Sequence, residues 1–179
     1  FGFVRFGVWT NSPGGAAYQK QISDAFAAAK SADLPVLMTV RSTKALTSAP
    51  DNTSELVAAG ESFASSVKGL EQSYGAQLVA IEIWNEPDLA KYWPTRNLDT
   101  TFVPFMSALR NSLQDTPPST PLIGFGFARP PSAGTTSALA LKKIVSEYPR
   151  CLSAISYHPY GMSGAQISKQ TGIGSGTLY

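Results

Sequence analysis

Cysteine and histidine are almost absent from this chain. Among its 179 residues each occurs once, as Cys151 and His158. One cysteine cannot close an internal disulfide, and the two together offer no Cys/His spacing for a structural zinc. No metal and no cofactor are therefore expected. Charge is also sparse, with 15% charged residues and a formal net charge of +2. Lys and Arg are scattered, and only Lys142-Lys143 are adjacent. Such a balance argues against nucleic acid or an anionic membrane surface as a partner. No apolar run nears the roughly 20 residues that a membrane span needs. Low charge with abundant Ser, Thr, Gly and Ala fits an exported protein, secreted or periplasmic. Asn52-Thr53-Ser54 is a glycosylation sequon, a triplet that is frequent by chance.

What is present is a globular composition, 43% hydrophobic, in a chain long enough for one domain with a core. Short β-rich runs alternate with longer Ala/Leu-rich runs. The apolar runs at 3–9, 35–40, 78–84, 121–127 and 152–157 are expected as buried parallel strands. Helices are expected over 18–32, 54–74, 101–114 and 137–148. Ile22, Phe26 and Ala29 lie on one face of the first, and Leu56, Phe63, Val67 and Leu70 on one face of the second. The third carries Phe102, Phe105, Leu109 and Leu113, and the fourth Leu139, Leu141, Ile144 and Val145. These are the spacings of helices that cover a sheet. Gly75, Pro117-Pro118, Pro130-Pro131 and Pro149 stand where elements should end. A βαβαβαβαβ order implies an α/β fold with a parallel sheet and right-handed crossovers. An open doubly wound sheet and part of a (β/α)8 TIM barrel both fit. In either, a site lies beyond the carboxyl ends of the strands.

At those ends stand Trp9-Thr10-Asn11, Arg41-Ser42, Trp84-Asn85-Glu86-Pro87, Phe127-Ala128-Arg129 and Tyr157-His158-Pro159-Tyr160. The third group is the most informative. An apolar strand, residues 78–83, runs directly into a carboxylate flanked by an amide and a proline. Pro87 ends the strand by removing a ladder donor, and it biases Glu86 toward extended backbone. A carboxyl held rigidly among aromatics suits a general acid, because burial disfavours its charged form.

Trp84-Asn85-Glu86-Pro87 resembles the fourth-strand signature of clan A glycoside hydrolases, the large (β/α)8 superfamily. The wording from Ile83 to Asp88 is most similar to families 39 and 5. Val4-Arg5-Phe6 resembles the clan's second strand, and the segment from Ile155 to Gly161 its sixth. On this mapping the chain, residues 1–179, is a partial catalytic barrel domain covering strands 2 to 6 of the clan. The resemblance implies a retaining glycosidase that cleaves β-linked oligo- or polysaccharide. Glu86 would be the catalytic acid/base, Asn85 would bind the sugar 2-hydroxyl, and Arg5, His158 and Tyr160 would line the pocket, with Arg5 and Tyr160 orienting a nucleophile.

The clan's nucleophile is a second Glu at the end of its seventh strand, and no residue here matches it. It is expected beyond Tyr179, where residues 174–179 read as the start of that strand. The abrupt opening on a strand likewise suggests an N-terminal portion. The remainder of the barrel is expected from the same gene or from another chain. Glu82 shares Glu86's side of the strand by alternation but lies about 13 Å deeper at about 3.3 Å per residue, so it reads as a buried, paired charge. Asp88 is expected to cap the next turn or face solvent. Asp51 and Glu55 belong to a loop and helix start.

Trp9, Trp84, Trp93, Tyr92, Arg41 and Arg129 follow strands on the same side. Aromatic rings there could stack on sugars, and Arg could donate paired hydrogen bonds. Singly, each is more often structural; Trp9, Trp84 and Trp93 are taken as substrate-binding candidates. Residues 172–176 are glycine-rich but neither match a dinucleotide fingerprint nor open a helix. The alternative to an enzyme is a non-catalytic carbohydrate-binding barrel remnant, or one piece of a split barrel. An inverting enzyme with a distant base is a third possibility.

Overall fold

In the computed structural model, five strands alternate with four α-helices among the described residues. They are β1 (Val4–Trp9), α1 (Gly15–Ser31), β2 (Val36–Arg41), α2 (Thr53–Tyr74), β3 (Leu78–Ile83), α3 (Leu98–Leu113), β4 (Leu122–Phe127), α4 (Thr136–Glu147) and β5 (Ala154–Tyr157). The structure describes residues 2–10, 12, 14–42, 52–93, 98–158, 160–161, 165–166 and 169. Asp51, the glycine-rich residues 172–176 and the expected strand start at 174–179 lie outside the described residues.

All five strands run parallel in one sheet, in the order β1-β2-β3-β4-β5. The order never reverses, and a reversal is what divides helices between the two faces of a doubly wound sheet. One core cluster joins Phe26 of α1, Phe63 and Val67 of α2, Phe102 and Phe105 of α3 and Ile144 of α4 to Val36, Met38, Val40, Ile81 and Ile83 of the sheet. The strand residues between these point to the other face. There Thr39 and Glu82 are register partners, and Thr39 Oγ1 donates to Glu82 Oε2 at 2.7 Å. The sheet is therefore apolar toward its helices and polar on the opposite face.

The helices begin where capping allows. Asn52 caps α2, accepting from the amides of Ser54 (3.0 Å) and Glu55 (3.4 Å), so the sequon residue terminates a helix. Thr135 caps α4 by accepting from Ala138 N at 3.2 Å. The α3 helix starts three residues before its expected position, and Pro104 inside it removes one rung of its ladder. The expected faces of α1 and α3 are the buried ones. The α4 expectation needs correction: Ser137, Ala140 and Ile144 are buried, while Leu139 and Val145 are 45% and 49% exposed. Helix α4 packs chiefly on α3, and its narrow contact leaves those two residues outside.

Gly60 marks the closest helix contact. A Cβ there would collide with the Phe105 carbonyl oxygen and sit 2.9 Å from Ala108 Cβ. Helices α2 and α3 can approach this closely only because position 60 has no side chain.

Candidate active site

The end of β3 makes an uncommon turn. Trp84 and Glu86 both have positive φ, 72° and 51°. Left-handed backbone in non-glycine residues costs about 1–3 kcal/mol each and survives only where surroundings over-determine it. Here Trp84 N donates to Val40 O (2.8 Å) and Glu86 N to Gly126 O (3.0 Å). The extended backbone expected for Glu86 before Pro87 is therefore not adopted, because these tertiary bonds outweigh the local preference. The turn folds the Glu86 side chain back over the sheet, where the residue is 6% exposed.

His158 links two carboxylates. Its Nδ1 lies 3.0 Å from Glu86 Oε1, and its Nε2 lies 3.7 Å from Glu82 Oε1. The strand spacing sets Glu82 well below Glu86, and the turn at Trp84–Glu86 brings both to one imidazole. Arg5 anchors the other side. Its Nε and Nη2 donate to Glu82 Oε2 at 3.1 and 2.6 Å, and Nη2 also reaches Asn85 Oδ1 (3.3 Å) and His158 Nε2 (2.9 Å). Since Arg can only donate, the Arg5 contact fits a neutral imidazole with its lone pair on Nε2. Nδ1 then carries the proton and donates to Glu86.

The electrostatics follow from this packing. Burial acts to raise the Glu82 pKa, but the neighbouring His158 and hydrogen bonds from Thr39, Ser156 and Arg5 hold it at about 2. Glu82 is the buried, paired charge that its position on β3 suggested. Glu82 also raises the His158 pKa above its ordinary value, against burial and with help from Glu86. Tyr160 is 73% exposed, and its hydroxyl lies 3.4 Å from His158 Nδ1. Desolvation and the Glu86 charge raise its pKa.

The sequence-selected residues divide into two groups. Arg5, Asn85, Glu86, His158 and Tyr160 come together in one network, which Arg5 reaches from the second position of β1. Trp84 and Trp93 do not: both are 1% exposed and pack edge-on against each other and against Phe105. Their indole N–H groups are spent on Tyr92 O and Thr101 Oγ1. Neither presents a ring face to a sugar, so both belong to the core. Trp9 faces the polar side, with the Arg41 guanidinium stacked 3.4 Å above its ring.

Three contributors, Thr39, Ser156 and Gly126, had not been singled out. Thr39 and Ser156 bond into the network, Ser156 Oγ also accepting from Gly126 N at 2.8 Å. Gly126 lies directly under the imidazole: a Cβ there would sit 2.8 Å from His158 Nε2, and its φ is +56°. Asp88 ties the turn after β3 to that after β4, accepting from Ala128 N (2.9 Å) and Arg129 N (3.2 Å), rather than capping its own turn. The glycine was the one legible signal, since a glycine inside a strand often marks close approach or a bulge; a register shift does fall between Gly124 and Phe127.

Among the described residues, no cluster of three His, Cys, Asp or Glu could hold a metal ion, and no helix is long and apolar enough to cross a membrane. No family model, no curated protein and no solved structure matches the chain.

Proposed function

We propose that the chain is part of a retaining glycoside hydrolase barrel of clan A, exported, with Glu86 as its acid/base. The observation that carries this reading is the placement of Glu86. It sits in a constrained turn at the carboxyl end of a central parallel strand, nearly buried, beside Asn85 and hydrogen-bonded to His158. The uninterrupted strand order also suits a barrel, whose closure would pair the outer edges of β1 and β5.

In the first step, protonated Glu86 gives its proton to the leaving glycosidic oxygen as a nucleophilic carboxylate bonds to the anomeric carbon. In the second, ionised Glu86 takes a proton from water, which displaces that carboxylate and releases the sugar. Asn85 would hold the 2-hydroxyl. The nucleophile belongs to the part of the barrel outside this chain. The test is turnover of aryl β-glycosides by the full-length protein. Glu86→Gln should lower it by about 10²- to 10⁴-fold; unchanged turnover would reject the assignment.

One observation favours a second reading, a carbohydrate-binding remnant without catalysis. The carboxylates nearest Glu86 are already engaged, Glu82 by Arg5 and Thr39 and Asp88 by two backbone amides. Sugar binding without turnover by the full-length protein would establish it.

A further inference from the structure

Arg41 is the last residue of β2 and the register partner of Trp9. It lies two residues beyond Thr39 on the polar face, one layer above the Glu82 network and level with the turn that carries Glu86. Its guanidinium stacks 3.4 Å from the centroid of the Trp9 ring and lies 5.2 Å from that of Tyr92. Lys91 brings a second cation to the same Tyr92 ring, with Nζ at 5.0 Å. Aromatic rings and cations therefore alternate at the edge of the site: Trp9, Arg41, Tyr92, Lys91.

Among the described residues, the cations of this stack form no ion pair. Arg5 pairs with Glu82, Lys20 with Asp24 and Lys143 with Asp99. Among the described residues neither Arg41 nor Lys91 has a carboxylate partner within salt-bridge distance. Burial disfavours the Arg41 charge and lowers its pKa, against a side-chain hydrogen bond with Tyr92 and the field of Glu86. A guanidinium with a ring against its face keeps its in-plane N–H groups as a fixed fork, a shape that matches a planar carboxylate.

We infer that the Trp9–Arg41–Tyr92–Lys91 stack recognises the carboxylate of an acidic sugar, so that the substrate is a uronic-acid glycoside. This inference rests on the glycosidase reading of Glu86 and names its substrate class. The stack supplies what the acid of such a sugar needs, cations with no carboxylate partner among the described residues.

The experiment compares 4-nitrophenyl glycosides differing only at C6, glucuronide against glucoside and galacturonide against galactoside, using the full-length protein. A charge-assisted contact is worth about 10- to 100-fold, so kcat/KM should favour one uronide over its neutral counterpart by that factor. Arg41→Gln should collapse the ratio toward one, mainly through KM, and Lys91→Gln at its exposed position should narrow it less. Neutral glycosides turned over equally well or better would overturn the acidic-sugar inference and leave the glycosidase standing. A ratio unchanged by Arg41→Gln would do the same, assigning Arg41 to Glu86 instead. Turnover of none of the four would overturn both.

Discussion

Neighbouring residues of β3 meet opposite surroundings. Ile81 and Ile83 are fully buried against the helices, within a cluster of Phe, Leu, Val and Trp side chains. Glu82, between them, is equally buried but faces the other way, where Arg5, Thr39, Ser156 and His158 satisfy its charge. One face is held by volume and shape, and tolerates changes of pH. The other is held by charge and hydrogen bonds that depend on each partner's protonation. The candidate site stands on the second face, so its machinery and its pH sensitivity share the same groups.

The largest expected effect comes from removing charge on the polar face. Glu82→Gln keeps the size but strands Arg5, and breaking a buried pair costs about 3–5 kcal/mol; the partial exposure of Arg5 points to the lower end. The loss should also depend on pH. Glu82 is depressed from 4.5 to about 2, so its contribution is present above 4.5 and is lost as pH falls through about 2. Urea melts of both proteins should differ at pH 6 and converge toward pH 2. A gap constant across that range would erase the distinction between the faces.

Adding volume to the helix face is the complementary break. Gly60→Ala drives a methyl group into the α2–α3 contact, at an expected cost of about 1–3 kcal/mol. That loss should be the same at pH 4 and pH 7. A pH-dependent loss would mean that helix packing and the polar network are not separable.

The smallest effect is the sharpest in chemistry. Above its raised pKa, His158 is expected as the Nδ1–H tautomer, because Arg5 occupies Nε2. The ¹⁵N shifts of its ring report this directly, and the Nε2–H form would contradict the geometry. The titration has the opposite sign to Glu82: stability from His158 is complete below 6.5 and is lost as pH rises through the raised value.

The sequence made the alternation of elements legible, because apolar runs and helical periodicity are local signals. All five strands lie within about two residues of the expected runs. Arg5, Asn85, Glu86 and His158 were legible by their positions at strand ends or in motifs. Other features depend on non-local contacts. Trp84 and Trp93 sit beside the acidic motif in sequence, but only the packing of α3 shows their rings turned into the core. Thr39 and Ser156 matter through cross-strand register, which no single segment encodes. The left-handed turn at Glu86 runs against its local proline signal and is set by the Gly126 carbonyl. Leu139 and Val145 fit a helical stripe as well as Ala140 does, and only the docking of α4 decides between them.

The most direct measurement for Glu86 is the leaving-group dependence of the Glu86→Gln defect in the full-length protein. A general acid matters most where the departing oxygen needs a proton. Glycosylation of the enzyme from a dinitrophenyl glycoside, whose phenolate leaves unaided, should be slowed little. Glycosylation from an alkyl glycoside should be slowed by about 10²- to 10⁴-fold. Equal slowing for both leaving groups would contradict the assignment of Glu86 as the proton donor.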